Sequence, residues 1–213
     1  MCEMNESDES ELHDEVRRFQ EESDVGLTGA SVLPVMTDPV QGKLYFLLAK
    51  ERYHPSWSKG SNLWSDFGGK RDKKETPEQV AAREFIEESL GVVRFSDAFQ
   101  KETITDIAHA LRQERYLLKF TRVFEDKKFV TFVVHVPWDP TVPKRFLTAR
   151  TDPAHTDSCY QEKSHVALFS AASTLQAVRS KGYLMPHERC CATLTQTLTI
   201  VLPELQFYFP HLF

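Results

Sequence analysis

The sequence predicts a single α/β domain. Two observations point to this class: apolar runs of strand length alternate with segments of helix length, and turn signals separate them. A third is size, because 213 residues with 41% hydrophobic content can bury one sizeable core. We expect residues 25–213 to form this domain, after a disordered acidic tail of residues 1–24.

The strands are predicted from apolar runs. The first two, "GASVLPVM" (29–36) and "KLYFLLAKE" (43–51), are separated by the turn signal "TDPVQG". A later pair, "RYLLKFTRV" (115–123) and "KFVTFVVHVPW" (128–138), flanks the polar turn "FEDKK" and predicts a hairpin. A further strand is predicted in "SHVALFS" (164–170).

One helix is marked at both ends. Thr76 is a suitable N-cap and Gln79 completes a capping box with it. Pro77 fits the first helical position, and Gly91 supplies the residue that commonly ends a helix. The sequence therefore predicts a helix from Pro77 to Leu90. Three further helices are predicted less sharply, within 97–114, within 171–181, and from near residue 187 to just before Pro203.

The cysteines do not indicate a disulfide scaffold. The chain has four, and Cys190 and Cys191 are adjacent within the last predicted helix, which disfavours a bridge between them. Reduced thiols and a cytoplasmic location follow as expectations, with the nucleus as an alternative. His155 and Cys159 have i, i+4 spacing but no second pair nearby, so a surface loop is favoured over a zinc site.

Three glutamates crowd the last turns of the predicted helix from Pro77. Glu84, Glu87 and Glu88 fall within an arc of about 100°, and we expect this face to point away from the core. The like-charge pair of Glu84 and Glu88 costs about 0.2–0.5 kcal/mol, and the helix macrodipole adds to the cost. A solvated acidic face is one interpretation, and a site for a hard divalent cation is the other. The apolar stripe on the opposite side consists of Ala82, Phe85, Ile86 and Leu90.

The stretch "GKRDKKETPEQVAAREFIEES" (69–89) favours the second interpretation, because it resembles the Nudix box. That pattern is Gly, five residues, Glu, seven residues, Arg-Glu, an apolar residue, any residue, Glu-Glu, any residue, Gly and an apolar residue. Every position fits up to Ser89. Leu90 then stands where the family has Gly, and Gly91 and Val92 follow one residue late.

The resemblance implies an α/β/α sandwich with a helix on each face of the mixed sheet, and a hydrolase that uses Mg²⁺ or Mn²⁺. Carried over by position, Glu84 and Glu88 would be the principal metal ligands. Glu87 would be a further ligand, direct or through water, and the Gly69 carbonyl an additional one. Arg83 would orient the site by pairing with a carboxylate such as Glu75. The structural glycines of the box would be Gly68, Gly69 and Gly91.

A general base in this family often comes from outside the box. Glu162, in "CYQEKSHVALF", precedes a predicted strand and is the first candidate, with Glu114 as an alternative. A box carboxylate, Glu84 or Glu87, is a third choice.

Substrate contacts are predicted around the strand that precedes the glycines. Lys50 and Arg52 would hold a phosphate, and Trp57, Trp64 and Phe67 would either stack on a base or belong to the core. The substrate class is a nucleoside diphosphate linked to another group: a nucleoside triphosphate, nucleotide sugar, dinucleoside polyphosphate or capped RNA 5′ end. Diphosphoinositol polyphosphates remain an alternative.

The principal rival is a Nudix-fold module that binds nucleotide or RNA without hydrolysing it. Residues 1–24 hold ten acidic and two basic side chains, which leaves 24 basic and 21 acidic ones in the domain. That small basic excess does not indicate nucleic acid by itself. A protein-interaction role for the tail and a homodimer through "LQFYFPHLF" (205–213) are further hypotheses, and no segment has the length of a membrane span.

Overall fold

The structure is a computed structural model. It describes the backbone alone of Trp57 and, with side chains, the rest of residues 26–72, 74–97, 101–180, 182–185 and 187–213. The predicted acidic tail, residues 1–24, lies outside the described residues.

Seven strands form the main sheet and two form a small hairpin. The main sheet contains β1 (Leu27–Asp38), β2 (Lys43–Glu51), β3 (Trp64–Ser65), β4 (Phe67–Lys70), β5 (Leu118–Phe124), β6 (Lys127–His135) and β7 (Lys163–Ser170). The hairpin contains β8 (Tyr183–Met185) and β9 (Glu188–Arg189).

The main sheet is mixed, as predicted. Its central strand β1 pairs in parallel with β6 on one side. On the other side β1 pairs antiparallel with β4 through its first half and with β2 through its second half. The predicted hairpin of β5 and β6 is confirmed, and β7 extends the sheet beyond β2.

The described residues contain five α-helices. They are α1 (Pro77–Ser89), α2 (Ile104–Arg112), α3 (Val142–Ala149), α4 (Ala171–Arg179) and α5 (Ala192–Tyr208).

Side chains of β2 alternate between two hydrophobic clusters. Leu47 and Ala49 pack into one cluster with residues of α1, α2 and α3, whereas Phe46 and Leu48 pack into another with residues of α4 and α5. The α/β/α layering is therefore confirmed. Each face carries more than the single helix that was expected, and α3 was not predicted from the sequence.

The predicted end of the last helix is wrong. α5 continues through Pro203 to Tyr208, although proline removes one backbone donor within a helix. Val201, Leu202 and Leu205 are buried on the inner face, while Pro203 is exposed. Packing of that face against the sheet outweighs the local preference of proline, as tertiary contacts often do.

The predicted start of the same helix is also wrong. Cys190 lies in an extended segment that bridges to Trp64, and Cys191 is the N-cap, whose Sγ accepts from the Leu194 amide. The thiols of Cys159, Cys190 and Cys191 are free.

Helix α1 ends at Ser89, one residue earlier than predicted. Leu90 adopts a left-handed conformation with φ of 56°, which a side chain normally disfavours, and Gly91 follows with φ of 60°. The Gly91 amide donates to the Ile86 carbonyl at 3.0 Å. Leu90 thus takes the conformation that suits the glycine of the family pattern, and its buried side chain packs into the core.

Candidate active site

The candidate site lies where helix α1 meets the glycine strand β4. The capping box is present: Thr76 Oγ1 accepts from the Gln79 amide, and Gln79 Oε1 accepts from the Thr76 amide. Phe67 of β4 packs edge-on against Phe85 of α1, with ring centroids 5.7 Å apart. These contacts fix the helix against the strand and so position its glutamates over Gly68 and Gly69.

Arg83 links the loop before α1 to the carboxylates on it. Its guanidinium donates to both carboxylate oxygens of Glu75, at 2.8 and 2.9 Å, and to the Lys70 carbonyl at 3.0 Å. It also contacts Glu84 at 2.8 Å and Glu87 at 3.4 Å. The hydrogen bond from Arg83 is the main cause of a lowered pKa of Glu75. One guanidinium therefore partly balances three carboxylates.

Glu84 rests directly on Gly69. A Cβ built on Gly69 would come within 2.4 Å of Glu84 Oε1, so a side chain at this position would displace the carboxylate. Glu84 is only 8% exposed, and burial is the main cause of a raised pKa, with Arg83 opposing it. The Gly69 carbonyl oxygen faces β1, where a Cβ on Gly29 would lie 2.2 Å away. Its role as a metal ligand stays a prediction.

Glu88 is buried, which corrects the expectation that the whole carboxylate face points away from the core. It is 3% exposed, and its Oε2 accepts from the Gly68 amide at 2.8 Å. The helix approaches β4 closely because glycine offers no side chain, and this approach brings Glu88 under the strand. Burial is the main cause of a pKa raised well above its usual value, and Glu51 and Glu84 add to the shift.

Lys163 is the buried partner of Glu88. It is 2% exposed, and its Nζ lies 3.0 Å from Glu88 Oε1, 2.9 Å from Ser65 Oγ and in direct contact with Glu51 Oε1. Ser65 in turn donates to Glu51 at 2.6 Å. Burial lowers the pKa of Lys163, but Glu88 and Glu51 outweigh it and the net shift is upward. The amine is therefore charged.

An irregularity in the sheet directs Lys163 to this place. His165 pairs with Lys50 and Lys163 pairs with Glu51, so Ser164 is an extra residue on β7. Without this bulge, alternation from Val166, which faces α1, would turn Lys163 to the opposite face. Bulges near active sites commonly re-aim a side chain in this way.

Sequence reasoning missed Lys163, Glu51 and Ser65. A weak signal was present, since Glu51 ends one apolar strand and Lys163 begins another. Opposite charges at the ends of buried strands indicate a pair only once the strands are known to be neighbours.

Glu162 lies at the edge of the carboxylate cluster, which consists of Glu84, Glu87 and Glu88 of α1 together with Glu51. It follows the 3₁₀ turn Ser158–Gln161, its side chain is exposed, and its carbonyl accepts from the Arg52 amide at 2.8 Å. Partial desolvation of the carboxyl raises the pKa of Glu162, Lys163 opposes this, and Glu51 and Glu87 add to it. The alternative candidate Glu114 lies in the turn after α2, between residues that line a different pocket.

Three of the side chains that were predicted to contact substrate have contacts within the protein instead. Phe67 has no exposed surface and belongs to the core. Trp64 is 5% exposed and packs on the α4–α5 side, where its Nε1 donates to Glu188. Lys50 forms an ion pair with the same carboxylate at 2.9 Å. Trp64 and Lys50 therefore bind the β8–β9 hairpin to the sheet through Glu188, and the substrate-binding role of these three side chains stays a prediction.

Arg52 is the predicted substrate residue that borders a pocket. The pocket has a volume of about 740 Å³ and includes Glu51 and Glu162 in its lining. Its volume is within the range typical of small-molecule sites.

The donor set fits a hard divalent cation. Among the described residues no three His, Cys, Asp or Glu side chains stand close enough to hold a metal ion. Glu84, Glu87 and Glu88 nevertheless lie on one side of α1, and the missing side chain of Gly69 gives room for the Glu84 carboxylate. Arg83 contacts Glu84 and Glu87, and Lys163 contacts Glu88. Positive side-chain charges therefore already lie next to these carboxylates, as a bound cation would. Hard oxygen ligands of this kind suit Mg²⁺ or Mn²⁺.

A mixed sheet between helical layers, with a glycine strand against a helix that carries Arg-Glu-Phe-Ile-Glu-Glu, defines a Nudix-type hydrolase. The comparison with family models agrees, because the NUDIX domain model matches residues 27–160, well over half of the chain. The chain belongs to the NUDIX family and is a pyrophosphohydrolase.

The chain is also similar to solved structures at low sequence identity. The Nudix hydrolase RenU from M. smegmatis is 13% identical, with 87% of this chain and 90% of that chain covered and a TM-score of 0.47. The NUDIX domain of Shewanella oneidensis NrtR, complexed with ADP ribose, is 13% identical with 95% and 99% covered and a TM-score of 0.48. A C. elegans Ap4A hydrolase is 15% identical with 85% and 98% covered and a TM-score of 0.44. No curated protein sequence matches the chain significantly.

Proposed function

We propose that this enzyme is a divalent-cation-dependent hydrolase that splits a phosphoanhydride bond in a nucleoside diphosphate linked to another group. The observation that carries the proposal is the intact carboxylate set of α1 above the glycine strand. Glu84, Glu87 and Glu88 crowd the end of a helix that disfavours negative charge, and Glu84 and Glu88 are also buried. The repulsion between these carboxylates is unfavourable, and a bound cation would reduce it.

Glu84, Glu87 and Glu88 would hold Mg²⁺, or Mn²⁺ in its place, with the Gly69 carbonyl as an additional ligand. When bound, the cation neutralises the diphosphate and makes a water molecule more acidic. Arg83 orients Glu84 and Glu87 through its fixed contact with Glu75. Glu162 takes the proton from the attacking water, a role that suits a carboxylate with a raised pKa at the edge of the site.

The substrate class is tested by a panel containing a nucleoside triphosphate, a nucleotide sugar, a dinucleoside polyphosphate, capped RNA and a diphosphoinositol polyphosphate. Release of phosphate or nucleoside monophosphate is measured with and without Mg²⁺. We expect Mg²⁺-dependent release from a nucleoside diphosphate derivative. Release from the inositol compound alone would contradict the nucleotide assignment.

Replacing Glu162 by Gln should lower kcat about 10- to 100-fold, at the low end for a general base, because Glu84 and Glu87 remain nearby. The Mg²⁺ concentration for half-maximal activity should stay the same, since Glu162 is not among the proposed ligands. Steady-state kinetics at several Mg²⁺ concentrations give both values. The control is Glu114→Gln, which should leave kcat unchanged. If kcat falls in that variant and not in Glu162→Gln, the base is Glu114.

Removing residues 1–24 should leave hydrolysis within about twofold, because we propose that residues 25–213 form the whole catalytic domain. The truncated chain is compared with the full chain in the same kinetic assay, after thermal unfolding has shown that both are folded. A total loss of activity in a folded truncation would assign the acidic residues to the active site.

The remaining expectations concern location and assembly. None of the helices in the described residues combines the length and apolar character that a membrane crossing requires. We propose a cytoplasmic or nuclear location, which the free thiols support. Phe207 and Tyr208 are exposed while Phe209 and Leu212 pack against the core, so a homodimer would use the first pair.

A further inference from the structure

Glu51 connects the carboxylate cluster to the pocket of about 740 Å³. It belongs to the pocket lining, and its Oε1 contacts Lys163 Nζ, which lies 3.0 Å from Glu88 Oε1. Glu162, the proposed base, belongs to the same lining. A second pocket, of about 750 Å³, contains none of the box carboxylates. Of these two pockets, the first is therefore the one next to the proposed reaction site.

The two carboxylate oxygens of Glu51 have different surroundings. Oε1 accepts from Ser65 Oγ at 2.6 Å and from Lys163 Nζ, and neither of these residues lines the pocket. Oε2 has no hydrogen-bond partner among the residues that the structure describes, and it retains exposed surface. Oε2 is therefore the oxygen that Glu51 presents to the pocket.

The position of Glu51 is fixed by the backbone around it. The Glu51 amide donates to the Leu63 carbonyl at 2.9 Å, and the Glu51 carbonyl accepts from the Asn62 amide at 3.1 Å. The side chain is 11% exposed, and two donors hold its Oε1. An acceptor that is already held in place loses little freedom when a ligand binds, so it contributes effectively to affinity.

The charges of the pocket lining do not favour an anionic group. Glu51 and Glu162 place two carboxylates in the lining, against one guanidinium, that of Arg52. The nearby Lys163 does not offer a donor to a ligand, because three side chains of the protein are already partners for its three N–H groups. A carboxylate oxygen accepts hydrogen bonds and cannot donate them, so Oε2 of Glu51 requires a hydroxyl or an amine as its partner.

Tyr53 adds an aromatic surface to the same lining. It is 58% exposed, so its ring is accessible to a ligand. Aromatic rings of this kind stack on nucleobases. A nucleoside carries both matching groups, since its base is flat and its ribose hydroxyls are hydrogen-bond donors, as is the base amine of adenosine. A pocket of this volume is large enough to hold it.

We infer that this pocket binds a nucleoside of the substrate, and that Glu51 selects it by accepting a hydrogen bond at Oε2 from a ribose hydroxyl or a base amine. This inference rests on the proposed hydrolase function and deepens it. It makes Glu51 a specificity-determining residue and assigns the pocket to the nucleoside part of the substrate, not to its phosphates.

The test uses three symmetrical dinucleoside tetraphosphates. One contains adenosine, the second contains 2′,3′-dideoxyadenosine, which lacks both ribose hydroxyls, and the third contains inosine, which has a carbonyl oxygen in place of the amine. The wild type should prefer the adenosine compound over at least one analogue by about tenfold or more in kcat/KM, as the loss of a hydrogen bond to a charged group predicts. Discrimination against the dideoxy compound identifies the ribose as the donor, and discrimination against the inosine compound identifies the amine. Equal kcat/KM for all three compounds would overturn the inference.

Glu51→Gln tests whether Glu51 causes this preference. The Gln amide oxygen should take the place of Oε1, where Ser65 and Lys163 both donate, so the amide NH₂ group replaces Oε2 in the pocket. A preference over the dideoxy compound should fall to less than about threefold, because a neutral hydrogen bond is weaker than a charged one. A preference over the inosine compound should disappear or reverse, because the NH₂ group donates to the inosine carbonyl oxygen.

The matched control is Ser65→Ala, which changes a contact of Oε1 only and should keep the wild-type preference whatever its absolute rate. A wild-type preference that persists in Glu51→Gln would overturn the role of Glu51. Thermal unfolding shows whether each variant folds. If Glu51→Gln does not, Tyr53→Ala at an exposed position replaces it, and this change should lower kcat/KM for all three compounds about tenfold through lost stacking. Unchanged values in Tyr53→Ala would then overturn the inference.

If the wild type hydrolyses none of the three compounds, the proposed function fails, but the pocket is still tested by calorimetric binding of AMP, 2′,3′-dideoxy-AMP and IMP. Binding of AMP about tenfold tighter than that of one analogue, with the difference lost in Glu51→Gln, supports the nucleoside pocket. Equal affinities, or no binding of AMP, would overturn it.

Discussion

Glu88→Gln should lower Mg²⁺-dependent turnover at least about 100-fold while the protein stays folded. Gln keeps the shape of Glu88 and an oxygen that accepts from the Gly68 amide, but it removes the charge that a divalent cation requires. Lys163 retains Glu51 as a partner, so the free energy of unfolding should fall by about 1–3 kcal/mol at most. Steady-state kinetics and chemical denaturation measure the two effects separately.

The control for this variant is Glu78→Gln in the first turn of the same helix. Glu78 pairs with Lys119 on the surface, at 3.1 Å, and lies outside the carboxylate cluster. Its replacement should leave turnover within about twofold, because exposed ion pairs contribute little. Near-normal turnover in Glu88→Gln would remove Glu88 from the proposed metal ligands.

Lys163→Met should lower the free energy of unfolding by about 3–5 kcal/mol in the absence of divalent cations. The change leaves Glu88 and Glu51 buried without the ammonium that contacts both. Removing one partner of a buried ion pair costs more than replacing both, because the remaining charge is desolvated and uncompensated. Urea denaturation at pH 7 measures the difference.

The double variant Lys163→Met with Glu88→Gln separates this charge effect from lost packing. If the charge of Glu88 causes the loss, the double variant should be more stable than Lys163→Met alone by about 1–3 kcal/mol. The alternative outcome is that the free energy of unfolding falls in the double variant by the sum of the decreases in the two single variants. That result would show that Lys163 acts through packing, and it would contradict the buried-pair account.

The sequence predicted those parts of the protein that depend on local signals. The helix from Pro77 was specified by Thr76 and Gln79, and the hairpin of β5 and β6 by two apolar runs around a polar turn. The glutamate spacing in "REFIEES" also predicted which side chains would share a face of α1. These features need only neighbours in the chain.

Other features depend on contacts between distant segments and could not be predicted. The burial of Glu88 requires the close approach of α1 to β4 together with Lys163, 75 positions further along the chain. The orientation of Lys163 depends on the extra residue at Ser164 in β7. Continuation of α5 through Pro203 likewise depends on packing against the sheet.

The same reasoning explains where the predicted substrate-binding residues lie. Lys50 and Trp64 lie near the glycines in sequence, but alternation along β2 and β3 turns both to the α4–α5 face, where Glu188 binds them. Arg52 lies just beyond β2 and borders the pocket instead.

The most direct test of the central claim is hydrolysis of a dinucleoside polyphosphate as a function of Mg²⁺ concentration, for the wild type and Glu88→Gln side by side. We expect saturable, Mg²⁺-dependent nucleotide release by the wild type, and release at least about 100-fold slower in the variant. Saturable nucleotide or RNA binding with no release at any Mg²⁺ concentration would contradict the account and indicate a Nudix-fold module that binds without hydrolysis.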